Sequence, residues 1–514
     1  TISPTAKCLR HRCCANFSAE AVSDIKMNEE MNEDVICAIS TPPGMGAIAV
    51  VRLSGEGAIA LTDSIFKSPS GKKLISQRPN TVHFGRIYEG DELIDEVLVT
   101  IFHAPHSFTG EESVEISCHG SLYIQQKIVE LLLSHGARMA QPGEFTRRAF
   151  RSGKFDLSQA EAVADLIAST SQVSHRVAMN QMRGGFAQQL NKLREELLQF
   201  VSLIELELDF SEEDVEFADR QQLYKLTEKI ENDIEKLANS FKLGNVIKKG
   251  IPVAIIGETN AGKSTLLNVL LNEEKAIVSD IHGTTRDTIE DTVNIGGILF
   301  RFIDTAGIRQ TTDTLESIGI ERTFKKIEQA FIVLWVIDLT SPEESLRQTA
   351  ETLIPKLNKK QVILLFNKAD LISPEESNQK QSYLPSFQEA TDDLSPQKAT
   401  QKQHLLPELK AERLFISAKT QQNIDQLRAL LVEMAHIPQI GENDVIVTNL
   451  RHYEALKKAL EAIRRVKKGL NAGISSDFLS QDIRECMFYL GEITGQITTD
   501  EILGNIFSHF CIGK

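Results

Sequence analysis

The run Gly257-Glu-Thr-Asn-Ala-Gly-Lys-Ser264 lies between an apolar stretch, Val253-Ala-Ile-Ile256, and Thr265-Leu-Leu-Asn-Val-Leu-Leu271. A strand before and a helix after give such a run its meaning as a phosphate-binding loop. Its glycines let backbone N–H groups wrap a phosphate at a helix N-terminus. Lys263 can reach the terminal phosphates, and the Ser264 hydroxyl can bind Mg²⁺. Asn260, Ala261, Gly262 and Thr265 complete this element of the candidate site. Further on, Ile303-Asp304-Thr305-Ala306-Gly307 ends an apolar run with a carboxylate suited to a water-mediated Mg²⁺ contact, and with a glycine N–H able to meet a γ-phosphate. Asn367-Lys368-Ala-Asp370 follows another apolar run. A carboxylate at 370 can accept from both the ring N–H and the exocyclic amine of guanine; adenine offers neither there, so GTP is expected over ATP. Ser417-Ala418-Lys419 supplies a loop to back the base.

Two details bear on hydrolysis. Ile308 follows Gly307, and an aliphatic side chain cannot orient an attacking water. A nearby carboxylate is the substitute, with Glu316 and Asp313 as local candidates; for either alone, a solvated surface acid is the plain alternative. The polar segment Ser279-Asp-Ile-His-Gly-Thr-Thr-Arg-Asp287 reads as a switch loop whose Thr284 or Thr285 could complete the Mg²⁺ shell.

The elements that must position these residues follow from the whole chain. Its 514 residues ask for two to four domains, and 41% hydrophobic with 25% charged residues excludes disorder over most of the length. No apolar run reaches the roughly 18 residues a membrane span needs. Against 71 acidic side chains stand 56 basic ones, a net charge of -15, so nucleic acid would have to be held by local basic faces. Lys457, Lys458, Arg464, Arg465, Lys467 and Lys468, with Lys248 and Lys249, are the candidates, a solvated helix face being the competing reading. Seven cysteines, at 8, 13, 14, 37, 118, 486 and 511, form no CxxC pair and suit a reducing compartment. The first 26 residues lack a secretory apolar core. Glu20 and Asp24 interrupt an organellar transit pattern, so a disordered extension and a cytoplasmic location are expected.

Periodicity divides the chain into an extension (1–33), an α+β domain (34–152), a first helical part (153–248), a parallel α/β domain with a polar loop at 373–404 (249–436), and a second helical part (437–514). Leu190, Leu193, Leu197, Val201, Ile204 and Leu208 mark one amphipathic helix; Leu450, Tyr453, Leu456, Leu460, Ile463 and Val466 mark another. The α/β unit is thus expected as an insert in a helical domain built from both flanks.

The chain carries further motifs: Thr41-Pro-Pro-Gly-Met-Gly46, Val51-Arg-Leu-Ser-Gly55, Ser107-Phe-Thr-Gly-Glu111, Pro142-Gly-Glu-Phe-Thr-Arg-Arg-Ala-Phe150 and Phe510-Cys-Ile-Gly-Lys514. Together with the inserted nucleotide motifs they resemble the tRNA uridine modification GTPase family MnmE, also called TrmE, from about residue 34 to the end. The resemblance implies an N-terminal tetrahydrofolate-binding-like domain that dimerises, a helical domain, and a Ras-like G domain within it. It also implies addition of an aminomethyl or carboxymethylaminomethyl group to C5 of the wobble uridine (U34) of certain tRNAs. The one-carbon donor would be a tetrahydrofolate (5-formyl or 5,10-methylene), and FAD would come from the partner protein MnmG (GidA). Carried over residue by residue, Asn260 and the loop from Ser279 through Ile281 to Thr284 would hold K⁺, and Ser264 and Thr285 would hold Mg²⁺. Glu316 would orient the water, and Arg52, Glu115, Lys154 and Lys514 would bind folate. Cys511 would be a nucleophile, with a merely reduced or buried thiol as its alternative. Two competing functions remain: a regulatory or ribosome-assembly GTPase whose N-terminal domain only dimerises, and a self-sufficient aminomethyltransferase. The chain has no GxGxxG of its own for a flavin.

Overall fold

The computed structural model describes residues 34–209, 220–272, 291–303, 324–357, 360–373, 411–438, 441, 444–497, 500–508, 510, 512 and 513. The chain forms two compact units, residues 1–164 with 491–514, and residues 165–490.

In the first unit, β1 (Ile36–Ile39), β2 (Ile48–Ser54), β3 (Phe66–Lys67), β4 (Thr81–Glu89), β5 (Glu92–Phe102), β6 (Ser113–His119) and β7 (Arg138–Met139) form one sheet in the order β3-β4-β5-β6-β2-β1-β7. Only the β1–β7 pair is parallel. Side chains alternate across a strand. Val97, Val99 and Ile101 of β5, Ala49, Val51 and Leu53 of β2, and Val114 and Ile116 of β6 therefore build one core with α1 (Ala58–Ile65) and α2 (Leu122–Ser134). Cys37 and Cys118 lie in that core, where burial pushes both thiols up to about 11.

Charged residues of the signature motifs are tied into an ionic framework around α3 (Glu144–Arg151). Arg148, 2% exposed, donates to the Asp34 carboxylate at 2.7 Å, to Glu111 at 3.2 Å and to Glu144 at 3.3 Å. Arg138 bridges Asp34 and Glu144 at 2.6 and 2.7 Å. Burial raises the Asp34 and Glu144 carboxyls, but the two guanidiniums outweigh it and hold both below the usual carboxylate range.

The helices that follow are α4 (Leu157–Ile167), α5 (Gln172–Met182), α6 (Gly185–Asp209) and α7 (Arg220–Lys249). Leu190, Leu193, Leu197, Val201 and Ile204 are all buried along α6. A reciprocal Ser171–Ser174 capping box starts α5. Then come β8 (Ile251–Ile256), α8 (Lys263–Asn272), β9 (Asp291–Ile295), β10 (Ile298–Phe302), β11 (Ile332–Asp338), α9 (Glu343–Leu357), β12 (Gln361–Asn367), β13 (Ala411–Phe415) and α10 (Ile424–Met434). The sheet order is β13-β12-β11-β8-β10-β9, parallel except for the β9–β10 hairpin. β11 is buried at every position, as a parallel strand covered on both faces must be. One face packs on α8 and α10, the other on α9. The hairpin turn rests on the start of α5, with Asn294 Nδ2 donating to Thr170 O at 3.0 Å.

Beyond the sheet, α11 (Leu450–Ala472) and α12 (Ser476–Thr494) restore the helical domain, while α13 (Asp500–Ser508) belongs to the first unit. The α11 stripe differs from the sequence expectation at its start: Leu450 is 57% exposed, and the buried row runs through Ala455, Leu456, Ala459, Ile463 and Val466. Leu450 opens the helix beside its N-cap Asn449, so it precedes the packed stretch. The chain enters and leaves the α/β domain at one place. α7 passes so close to the returning segment that a Cβ on Gly244 would lie 2.0 Å from Val447 O, and Ile247, Ile446 and Val177 pack together with Ile437 alongside. Cys486 of α12 is wholly buried, its thiol pushed up to about 12 by desolvation.

Candidate functional site

The apolar run at 253–256 forms the last four residues of β8, in the middle of the sheet, with β10 on one side and β11 on the other. This is the topological switch point, where parallel α/β sheets open a crevice at their carboxyl ends. Two glycines of the loop are required by close approach. A Cβ on Gly257, at φ 141°, would lie 2.1 Å from Val336 O, and one on Gly262, at φ 97°, would lie 2.1 Å from Asn367 Nδ2. Ala261 is fully buried between them, whereas Asn260, at φ 62°, is exposed at the loop tip. Lys263 curls back so that its ammonium donates to Gly257 O at 2.8 Å and to Glu258 O. Burial, with Lys326 nearby, lowers its affinity for a proton from the usual lysine range. Ser264 is half-buried in the first turn of α8, and Thr265 is exposed beside it.

Asn367 joins the motifs. It is 3% exposed at the end of β12, donates from Nδ2 to Ala261 O at 2.8 Å, and accepts at Oδ1 from Ala418 N at 3.0 Å. One amide thus ties the phosphate loop, the 367–370 segment and the 417–419 loop. Ser417 and Ala418 are buried, and Ser417 Oγ accepts from Thr420 N at 3.2 Å; Lys419 is exposed. Lys368 takes the left-handed conformation (φ 65°), and its ammonium pairs with Asp338 Oδ2 at 2.5 Å. Asp370 stands exposed in the single 3₁₀ turn Ala369–Leu371.

Two carboxylates at this site were not singled out from the sequence. Glu258, inside the loop, accepts from Ser345 Oγ at 2.8 Å, Thr349 Oγ1 at 2.7 Å and Ser341 Oγ at 3.4 Å, which anchors the loop to α9. Asp338 ends β11, 8% exposed, and its Oδ1 accepts from Thr340 N at 2.8 Å and Thr340 Oγ1 at 2.7 Å. Burial raises its carboxyl, while Lys368 and Thr340 more than offset that and hold it below the usual range. A carboxylate closing an apolar run, followed by two hydroxyl residues, was the available signal for Asp338. For Glu258 the partners come 83 to 91 residues later and leave no local trace. Ser279, Ile281, Thr284, Thr285, Asp304, Thr305, Ala306, Gly307, Ile308, Asp313 and Glu316 lie outside the described residues, as does the 374–410 stretch that holds most of the polar loop.

In the first unit a second candidate site forms on the sheet face away from α1 and α2. Register sets Arg52 of β2 opposite Glu115 of β6, and Arg52 Nη2 and Nε donate to Glu115 Oε1 at 2.7 and 3.0 Å. The guanidinium lies 5.3 Å from the Phe108 ring centre and 5.8 Å from that of the buried Phe145, within cation–π range. Phe108 in turn meets Phe155 at 5.7 Å. Lys154 is exposed beside Gly110, whose added Cβ would lie 3.5 Å from the lysine Cγ. The chain end docks in the same unit: Ser40 Oγ donates to Gly513 O at 3.1 Å, directly after β1, the strand that pairs with β2. Cys511 and Lys514 lie outside the described residues.

The basic helix face is largely neutralised. Arg464 pairs with Glu231 and Glu235, Arg465 with Asp482 and Glu485, Lys467 with Glu231 and Glu228, and Lys248 with Asp165. Lys457 and Lys458 instead lie over the Tyr453 and Tyr489 rings. Among the described residues no helix is long and apolar enough to cross a membrane.

Comparison with known proteins adds the following. Residues 157–511 match the MnmE helical domain family, and residues 35–154 match the GTP-binding protein TrmE N-terminus. A tRNA modification GTPase MnmE of Bacteroides thetaiotaomicron is 59% identical over 485 residues, covering 94% of this chain and 100% of that protein. One from Bacteroides fragilis is 60% identical with the same coverage. Among solved structures, the G domain of the T. maritima FeoB iron transporter overlays 36% of this chain and 99% of its own, at 23% identity and a TM-score of 0.23.

Proposed function

The chain belongs to the MnmE family of tRNA modification GTPases, and from that premise we propose that it hydrolyses GTP in the C5 modification of the wobble uridine of tRNA. The observation that carries the GTP reading is Asn367, whose buried amide joins phosphate loop, base segment and backing loop while Asp370 stands exposed beside them. With nucleotide bound, loop N–H groups and Lys263 would hold the phosphates, Ser264 with Thr285 would hold Mg²⁺, and Asp370 would select guanine. A metal held there would neutralise charge on the phosphates. Asn260 and the Ser279–Thr284 loop are assigned to K⁺, and Glu316 to orienting the attacking water. Equal turnover in KCl and NaCl would remove the K⁺ assignment, and a normal kcat in Glu316→Ala would remove the glutamate.

The one-carbon donor is assigned to the Arg52–Glu115 face. A pterin offers an amide and amine edge to a carboxylate, and its glutamate tail suits a guanidinium or lysine. What supports this is an ion pair only partly buried, with side chains 19% and 30% exposed, walled by Phe108 and Phe145 with Lys154 near the same loop. Tetrahydrofolate supplies the one-carbon unit when bound. Docking of Gly513 after β1 favours a part for the Cys511 to Lys514 tail there, with Cys511 as the proposed nucleophile. Homodimerisation, the FAD-dependent partner MnmG (GidA) and a cytoplasmic location complete the proposal. Since Arg464, Arg465 and Lys467 are bound to acids, Lys457 and Lys458 are the better candidates for tRNA phosphates.

The test is mass analysis of wobble uridine in tRNA from cells lacking the gene. Loss of the C5 aminomethyl or carboxymethylaminomethyl group, restored by the intact gene, is expected; an unchanged nucleoside profile would overturn the proposal. No affinity for folate derivatives would favour the GTPase switch without substrate chemistry.

A further inference from the structure

A lysine placed two residues before a base-reading carboxylate is a hazard. The four-carbon stem of Lys368 is long enough to bring its ammonium onto Asp370, in the 3₁₀ turn that Lys368 caps, and such a pair would occupy the oxygens that guanine needs. The structure holds the ammonium elsewhere. Asp338, at the end of the neighbouring strand β11, takes Lys368 Nζ on Oδ2, while Thr340 fixes Oδ1 with its N–H and its hydroxyl. Leu339 N also donates to Asn367 O at 3.2 Å, so the 338–340 corner and the 367–370 segment are bonded through the main chain as well. The Asp338 side chain is 9% exposed whereas Asp370 is exposed. Attraction between unit charges strengthens as water is excluded, so the ammonium belongs with the inner carboxylate. Lys368 takes its left-handed backbone conformation at this same corner.

We infer that Asp338 is a positioning residue for guanine selection: by holding the Lys368 ammonium it keeps Asp370 open to the base. This rests on the reading of the α/β domain as a GTPase. It assigns a role to a residue that touches neither phosphate nor base, and Thr340 shares in it by orienting the carboxylate.

The experiment uses the full chain and measures GDP and ADP binding, together with kcat and KM for GTP. In Asp338→Asn, the same size without the charge, GDP affinity falls roughly five- to tenfold and KM for GTP rises in step, while kcat stays within about twofold. ADP, which makes no use of Asp370, is bound as weakly as before, so the GDP-to-ADP preference narrows by the same factor. Asp338→Glu recovers most of the loss. In a Lys368→Met background, which has its own lower affinity, adding Asp338→Asn costs nothing further, because no ammonium is left to stray. Thr340→Val keeps the carboxylate but loses a hydroxyl that aims it, and gives a milder loss of the same kind; it carries the test should Asp338→Asn not fold. Equal losses for GDP and ADP, or a loss that persists undiminished in the Lys368→Met background, would overturn the inference and leave Asp338 a structural residue. An intact chain that binds GDP no better than ADP would instead defeat the GTPase reading itself, whereas a selective intact chain with an indifferent Asp338→Asn defeats only the positioning role.

Discussion

In the α/β domain three loops at the carboxyl ends of parallel strands meet on the one amide of Asn367. In the first unit Arg52 and Glu115, 63 residues apart, meet because β2 and β6 pair in a register that sets them opposite. Among the described residues the nucleotide site is made mostly of main chain held by buried bonds, with Lys263 alone having to leave Gly257 O and Glu258 O to reach a phosphate. The sheet-face site is made of side chains that already satisfy one another and must exchange partners to take a ligand. Damage to the first should be close to all-or-none, and damage to the second graded.

That contrast can be broken in four ways. Lys263→Ala should cost on the order of a thousandfold in GTP turnover, with folate binding untouched; a parallel loss of folate affinity would show that the two sites are not independent. Asn367→Ala strands Ala261 O and Ala418 N in a buried setting, so KM for GTP should rise roughly a hundredfold and the α/β domain should lose about 2–4 kcal/mol of stability in denaturant titration. A normal KM would mean the three loops hold their places without the amide. Arg52→Ala should weaken binding of a tetrahydrofolate about tenfold, with GTP turnover unchanged in steady-state assays. A thousandfold loss would place the sheet face in the all-or-none class after all.

The smallest effect concerns acid. Asp34 and Glu144 are held below their ordinary values of 3.8 and 4.5. Carboxyls depressed in the folded state stabilise it fully above the unfolded values and lose that contribution as pH falls through the lower folded ones. Melting of the first unit should therefore drop below about pH 4.5, more steeply than that of the apolar α/β core. Glu144→Gln should begin less stable and respond more shallowly to acid, and an equal slope for variant and parent would remove the ionic framework from the account.

The same contrast explains what could be read along the chain. β8 and β12 are largely apolar runs that end in a motif, so strand and function are written in neighbouring residues. Val51-Arg-Leu-Ser-Gly55 and Ser107-Phe-Thr-Gly-Glu111 gave a resemblance but no mechanism. Their connection lies in space: Ser54 Oγ donates to Glu111 Oε2 at 2.8 Å and meets Thr109 Oγ1 at 2.6 Å. Leu450 fits the apolar period of α11 yet is exposed, because the period of three or four extends beyond the stretch that packs. The basic face of α11 looked available because the acids that quench it come from other helices, α7 some 229 to 233 residues before Arg464 and α12 17 to 20 residues after Arg465. Glu258 left no local trace for the same reason, its partners lying 83 to 91 residues on, whereas Asp338 closes an apolar run just before Thr340.

The close passage of α7 against the returning segment at Gly244 and Val447 has one more consequence. The two ends of the α/β domain are pinned together by the helical host, and closing an excursion of that length costs on the order of 5 kcal/mol when the excursion is a free coil. A folded α/β domain keeps its own ends near each other, which relieves the host of that entropy. The two therefore melt as thermodynamic dependants, and a nucleotide that binds the folded insert at a hundred times its Kd lends about 2.7 kcal/mol to the pair. Guanine nucleotide should act on the host helices as a reversible staple, one whose strength follows its concentration.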